Sequence, residues 1–266
     1  VPVDGLSAMK VQLLPSSIND DGTASQGQRL TCFVVDDSVA FDAGSLAFAC
    51  TNLQRQQIRD AVISHTHLDH IAGLPIFIDD LFATLTEPFR IHCTTEMFEV
   101  LESNVFNWDI YPRFSELTNV YGNVLEYSLV EPQNAFKVKH LEVVPVTVNH
   151  NSPSLGFLVS DGKVSVGITG DTSETSEIWN VFSECENLAA VFVECAFPDE
   201  MGKLASDSHH LTPARLASEL AKLRDRKYPV YVSNIKAMYR EVVVRQLDDL
   251  KLSDLNILEV GKSYAI

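Results

Sequence analysis

No apolar run in this chain approaches the roughly 20 residues of a membrane span. Basic residues are scarce: 20 Lys and Arg stand against 36 Asp and Glu, a net charge of −16. A surface this acidic excludes a general affinity for nucleic acid or for anionic membranes. An anionic substrate would therefore need a local positive centre, such as a metal ion. Cysteine is sparse and unpaired. Cys32, Cys50, Cys93, Cys185 and Cys195 form no Cys-x-x-Cys pair, and their number is odd. That excludes a disulfide framework and a zinc ribbon, and leaves free, mostly buried thiols. Repeats and low-complexity tracts are missing, as is any Pro/Gly/Ser-rich linker, so residues 1–266 read as one domain. The first residues, Val1-Pro-Val-Asp-Gly5, have no signal-peptide character and no initiating Met, which reads as a trimmed end. A cytoplasmic location is expected, with the periplasm as the alternative if that end is processed.

What is present is enough apolar residue, 45% of the chain, to bury a sizeable core. Short runs rich in Val, Ile or Phe predict strands at 9–14, 31–36, 39–41 and 61–64. A helix follows through Leu81, and another runs from Thr95 past Leu101. Strands return at 124–129, 136–140, 142–148, 155–160 and 164–169, and Asp161-Gly162 marks a hairpin between the last two. Strand and helix then alternate: strands 189–194, 230–233 and 255–259, helices 213–226 and 239–250. Thr212 is the expected cap of the first of these helices and Pro213 its first residue. Two successive rounds of strands and helices imply two sheets packed face to face with helices outside.

The segment that carries chemistry is Ile63-Ser-His-Thr-His-Leu-Asp-His-Ile-Ala-Gly-Leu-Pro75, which holds His65, His67, Asp69 and His70 within six residues. On a strand end His65 and His67 point the same way and can face one ion. A turn after Leu68 would send Asp69 and His70 towards a second. Neutral imidazole and carboxylate suit Zn²⁺, Mn²⁺ or iron. His150, just past an apolar strand, and Asp171, after Ile168-Thr-Gly, are placed to complete the set. The bland alternative for Asp171 is capping a helix near 173–182. His92 and His140 read as structural.

These residues resemble the metallo-β-lactamase superfamily, and within it the class II cyclic-nucleotide phosphodiesterases. The resemblance rests on the Ser-His-Thr-His-Leu-Asp-His run, on His150, and on Ile-Thr-Gly-Asp171-Thr. It rests also on Phe41-Asp-Ala-Gly-Ser, Val105-Phe-Asn-Trp-Asp-Ile-Tyr-Pro-Arg-Phe114, Glu194-Cys-Ala-Phe-Pro-Asp and His210-Leu-Thr-Pro213. It implies an α+β fold, a four-layer αββα sandwich with two metals at one edge. His65, His67 and His150 would bind one ion, Asp69 and His70 the other, and Asp171 would bridge. One position departs from the family. Its last metal histidine lies in His-Ile-Lys-Pro, whereas here Ser233-Asn-Ile-Lys-Ala237 puts Asn234 in that place. An amide oxygen is a weaker donor to Zn²⁺ than imidazole, so a weak, exchangeable or empty second site is expected, or one filled by a harder ion such as Mn²⁺.

The resemblance implies hydrolysis of a 3′,5′-cyclic nucleotide, cAMP or cGMP, by metal-activated hydroxide. Asp69 would orient the nucleophile. His210, just before the helix that opens at Pro213, would protonate the leaving oxygen, with His209 as the alternative acid. Three other readings stay open: a lactonase or other ester hydrolase, a tRNA 3′-end nuclease of the same superfamily, and a non-catalytic nucleotide-binding relative. The sequence leaves both monomer and homodimer open.

Overall fold

The computed structural model describes residues 8–223 and 226–266. Seven strands form the first sheet. Six of them are β1 (Lys10–Leu13), β2 (Phe33–Val35), β3 (Val39–Phe41), β4 (Asp60–Val62), β5 (Phe89–Cys93) and, beyond a small ribbon of β6 (Thr118–Asn119) and β7 (Gly122–Asn123), β8 (Leu125–Leu129). The second sheet runs β9 (Phe136–Val138), β10 (Leu141–Thr147), β11 (Leu155–Ser160), β12 (Ser165–Ile168), β13 (Leu188–Glu194), β14 (Val230–Ser233) and β15 (Leu255–Ile257). The last strand, β16 (Ser263–Ala265), returns to the first sheet and pairs antiparallel with β1.

The inner faces meet through Phe33 on Phe192 and Phe41 on Phe157, edge to face with centroids 5.6 and 5.5 Å apart. Helices cover the outside. On one face are α1 (Leu46–Ala49), α2 (Asn52–Gln57), α3 (Leu68–Ile71), α4 (Leu74–Leu81) and α5 (Thr95–Asn104). The later helices are α6 (Glu177–Glu184), α7 (Gly202–Asp207), α8 (Pro213–Leu220) and α9 (Arg240–Asp249). Trp179, Phe182, Leu216, Leu220, Val243 and Leu247 from α6, α8 and α9 join Val191, Val193, Val230 and Val232 of the second sheet in one buried cluster. This is the four-layer αββα sandwich that the resemblance implies.

Strand order places the site. Strands β3, β4, β5 and β8 run parallel in one sheet, and β12 to β15 run parallel in the other. Loops that leave the carboxyl ends of such strands are where an α/β fold builds its ligand sites. The predicted hairpin is present, with Gly162 at φ +88° between β11 and β12. All five cysteines are free; Cys32, Cys93 and Cys195 are buried and the other two half-buried.

Several expected elements shift. Strand β4 ends at Val62, so His65 and His67 stand on the loop beyond it rather than on a strand end. Helix α3 starts at Leu68, where a turn is expected. Helix α6 begins at Glu177 behind Ser176, which removes Asp171 from any capping role. Helix α8 stops at Leu220; part of the expected extension to Arg226 lies outside the described residues. Thr212 holds the cap position, but its hydroxyl makes no capping bond. Strand β16 and the short helices α1 and α2 have no counterpart in the sequence expectations. Among the described residues no helix is long and apolar enough to cross a membrane.

Candidate metal centre

Asp42, in the left-handed region at φ +60° just past β3, organises the first histidine loop. Its Oδ1 accepts the Ser64 main-chain N–H and its Oδ2 accepts the Ser64 hydroxyl, each at 2.7 Å. The same Oδ2 lies 2.7 Å from His70 Nδ1. Ser64 Oγ in turn sits 3.0 Å from His65 Nδ1. Both histidines are thus held through Nδ1, which turns Nε2 of each inward. Gly44 fixes the same loop from below. Thr31 donates its N–H to the Asp69 carbonyl and Gly44 donates to the Thr31 carbonyl, both at 2.8 Å. A Cβ on Gly44 would overlap the Asp69 carbonyl oxygen.

His150, three residues past β10, places Nδ1 3.0 Å from the carbonyl of His209. Its Nε2 is 3.1 Å from His67 Nδ1. His209 is itself tethered to the Asn149 side chain at 2.8 Å. The geometry gives His209 a positioning place behind His150. His210 is buried beside it, its ring 5.0 Å from that of His150. His210 Nδ1 meets Glu194 Oε1 at 2.7 Å. Glu194, at the end of β13, is buried and also accepts the N–H groups of Thr172, Ala196 and Leu211. Asp171, after β12, sets Oδ2 3.3 Å from His70 Nε2 and 4.0 Å from His210 Nδ1. Its Oδ1 accepts the Asn234 amide N–H at 2.5 Å.

Three overlapping groups can hold a metal: His65 with His67 and His150; His65 with His70 and Asp171; His150 with Asp171 and His210. The residues fit a metal on an observation independent of any relative. Nε2 of His65 and Nε2 of His70 are buried and have no hydrogen-bond partner. A buried polar atom left without a partner is costly, and ligation of a metal would satisfy it. Burial and neighbouring imidazoles push His65 well below its ordinary pKa, and burial takes His150 down to about 4. Both are therefore neutral, the form that ligates. Burial would raise Asp171, but His70, His65 and His210 hold it well below the usual carboxylate range.

Every predicted site residue lies at this edge, but the three groups include neither Asn234 nor Asp69. Asp69 is half-exposed and faces Lys236, with Oδ2 3.4 Å from Nζ. His92 and His140 are elsewhere, bonded to Asp60 at 3.0 Å and to Asp36 at 2.7 Å. Sequence reasoning misses Asp42, Glu194 and Lys236 as members of the site, although the segments that hold them are among those carrying the resemblance or the departure from it.

Comparison with known proteins agrees with this architecture. The profile of the β-lactamase superfamily domain matches residues 32–230. A 3′,5′-cyclic-nucleotide phosphodiesterase of Schizosaccharomyces pombe is 25% identical over 236 residues, 80% of this chain and 65% of that protein. Ribonuclease Z of Methanococcus maripaludis is 24% identical over 284 aligned positions, 83% of this chain and 89% of that one. Unliganded yeast PDE1 superposes with a TM-score of 0.76 at 19% identity, covering 98% of this chain and 100% of that structure. The chain spans 65%, 56% and 65% of the first three cyclic-nucleotide relatives' own lengths. With its clustered histidines and carboxylates typical of an active metallo-hydrolase, the chain belongs to the metallo-β-lactamase superfamily.

Proposed function

We propose that the chain is a metal-dependent phosphodiester hydrolase acting on 3′,5′-cyclic nucleotides, cAMP or cGMP. The observation that carries this reading is the His65–His67–His150 group beside Asp171, flanked by the buried His210–Glu194 pair. An imidazole triad of this kind suits Zn²⁺. His65, His67 and His150 hold the first ion. Asp69, His70, Asp171 and Asn234 border a second, weaker position that also admits Mn²⁺ or iron. A divalent ion there supplies Lewis acidity, activating water and offsetting the phosphate charge.

The chain's own residues do the rest. Asp69 orients the nucleophile from the rim. Glu194 against Nδ1 keeps His210 protonated, and His210 gives the proton on its other ring nitrogen, Nε2, to the departing ribose oxygen. The helix that opens at Pro213, three residues on, favours an anionic group at its start. Strand β16 closing on β1 supports reading the described residues as one folding unit.

The match to ribonuclease Z along most of both chains favours pre-tRNA as a second substrate reading, but the net charge of −16 opposes it. A panel of cAMP, cGMP, bis(p-nitrophenyl) phosphate, a lactone and pre-tRNA, each with and without added Zn²⁺ or Mn²⁺, separates the readings. Metal-dependent turnover of a cyclic nucleotide is expected. Turnover of only the lactone or only pre-tRNA would replace the proposal, and turnover of none would leave a binding protein.

A further inference from the structure

We propose that Asn234 and Lys236 occupy the second half of the centre with protein groups, so that the chain holds one divalent ion tightly and meets the substrate phosphate with the Lys236 ammonium. The inference rests on the metal-centre reading above.

The groups that can hold a metal share His65 and His150, and the first ion takes both. A second ion would then find His70 Nε2 and one oxygen of Asp171, because His210 is the proton donor in the reading above and an imidazole that carries both protons offers no lone pair. Zn²⁺ sites ordinarily take three or four protein ligands.

The remaining carboxylate atoms are already taken. Asp171 Oδ1 accepts the Asn234 amide at 2.5 Å. That orientation is set by chemistry: turned over, the amide would press its oxygen against a carboxylate oxygen and leave two acceptors in contact. The backbone holds it there as well. Asn234 sits at φ +51°, a conformation Asn tolerates, and its N–H donates to Gln28 Oε1 at 2.8 Å. Asp69 faces Lys236 Nζ at 3.4 Å. The Lys236 main chain is anchored to the Ala196 carbonyl at 3.2 Å, two residues beyond Glu194. Its side chain remains about a third exposed, at 35%. In a chain of net charge −16, a tethered ammonium at the lip of the centre stands where a phosphate oxygen would arrive.

The test strips the full chain with chelator, reloads it with excess Zn²⁺, desalts it and measures zinc per chain. One zinc is expected for the wild type, and two for the Asn234→His, Lys236→Met double variant, which frees both carboxylates and adds a nitrogen donor. Two tightly held zincs in the wild type would overturn this inference and leave the metal centre standing. None would overturn the metal reading itself. Inorganic phosphate as a competitive inhibitor probes the second half of the claim. Lys236→Met should weaken it about 10-fold and Lys236→Arg should largely restore it, the scale of one charge-assisted hydrogen bond. An unchanged inhibition constant in Lys236→Met would remove Lys236 from phosphate binding.

Discussion

Glu194 and His210 form a buried pair, Oε1 to Nδ1 at 2.7 Å, and the carboxylate has no contact with solvent to dilute its effect. Burial alone would lower the His210 pKa, yet the charge and hydrogen bond of Glu194 outweigh it and the net shift is upward. A histidine acting as acid works below its pKa, so Glu194 extends activity to higher pH. Glu194→Gln keeps the shape and removes the charge. The alkaline limb of its kcat profile on cAMP, whose ribose oxygen must take a proton as it leaves, should therefore move to lower pH. A profile superimposable on wild type would separate Glu194 from the proton.

Asp42 touches no predicted substrate position, but it holds His70 by Nδ1 and His65 through Ser64. Outer partners of this kind fix the tautomer and direction of a metal-binding imidazole. Asp42→Ala should lower Zn²⁺ affinity about 10–100-fold in a competition titration against a chromogenic chelator. An affinity equal to wild type would mean that Ser64 and packing suffice.

These two carboxylates also mark where sequence reading stops. The histidine run, His150 and Asp171 are legible because dense imidazole and carboxylate next to apolar strands have few other uses. Glu194 and Asp42 are single acids at strand ends, and nothing local says that each will meet a histidine 16 or 28 residues away. The strand core is legible from its Val and Ile runs. Helix α1, only Leu46–Ala49, is too short to show a period. Helix α2 did carry a signal, since Thr51 and Gln54 form a capping box. Strand β16 pairs with β1 across almost the whole chain, a partnership with no local signature.

Gly44 offers a test of how rigidly the histidine loop is held. Its place demands the absence of a side chain because backbone from Asp69 and Thr31 crowds the position where Cβ would be. Gly44→Ala must push the Asp69 carbonyl away and break the Thr31 N–H bond to it. A loss of stability of about 1–3 kcal/mol, the usual scale of overpacking, is expected in urea unfolding. Metal affinity should fall with it. A variant as stable and as well loaded as wild type would show that the loop yields freely.

His67 and Asp171 allow the role of the centre to be separated from the integrity of the fold. His67 is exposed and contacts His150 at the rim, so its removal costs the core nothing. Asp171 is buried, but its partners are the site's own His70, His210 and Asn234 rather than the apolar clusters. His67→Ala and Asp171→Ala should each abolish phosphodiester hydrolysis while circular dichroism keeps the wild-type signature. Asp171→Ala will show the larger drop in melting temperature, because it leaves the Asn234 amide buried without its acceptor. The threshold is set by the barrier: a variant retaining more than about a tenth of wild-type kcat has lost under about 1.4 kcal/mol of transition-state stabilisation. That is too little for a residue that holds the ion or bridges to it, and such a result would remove it from the reacting set.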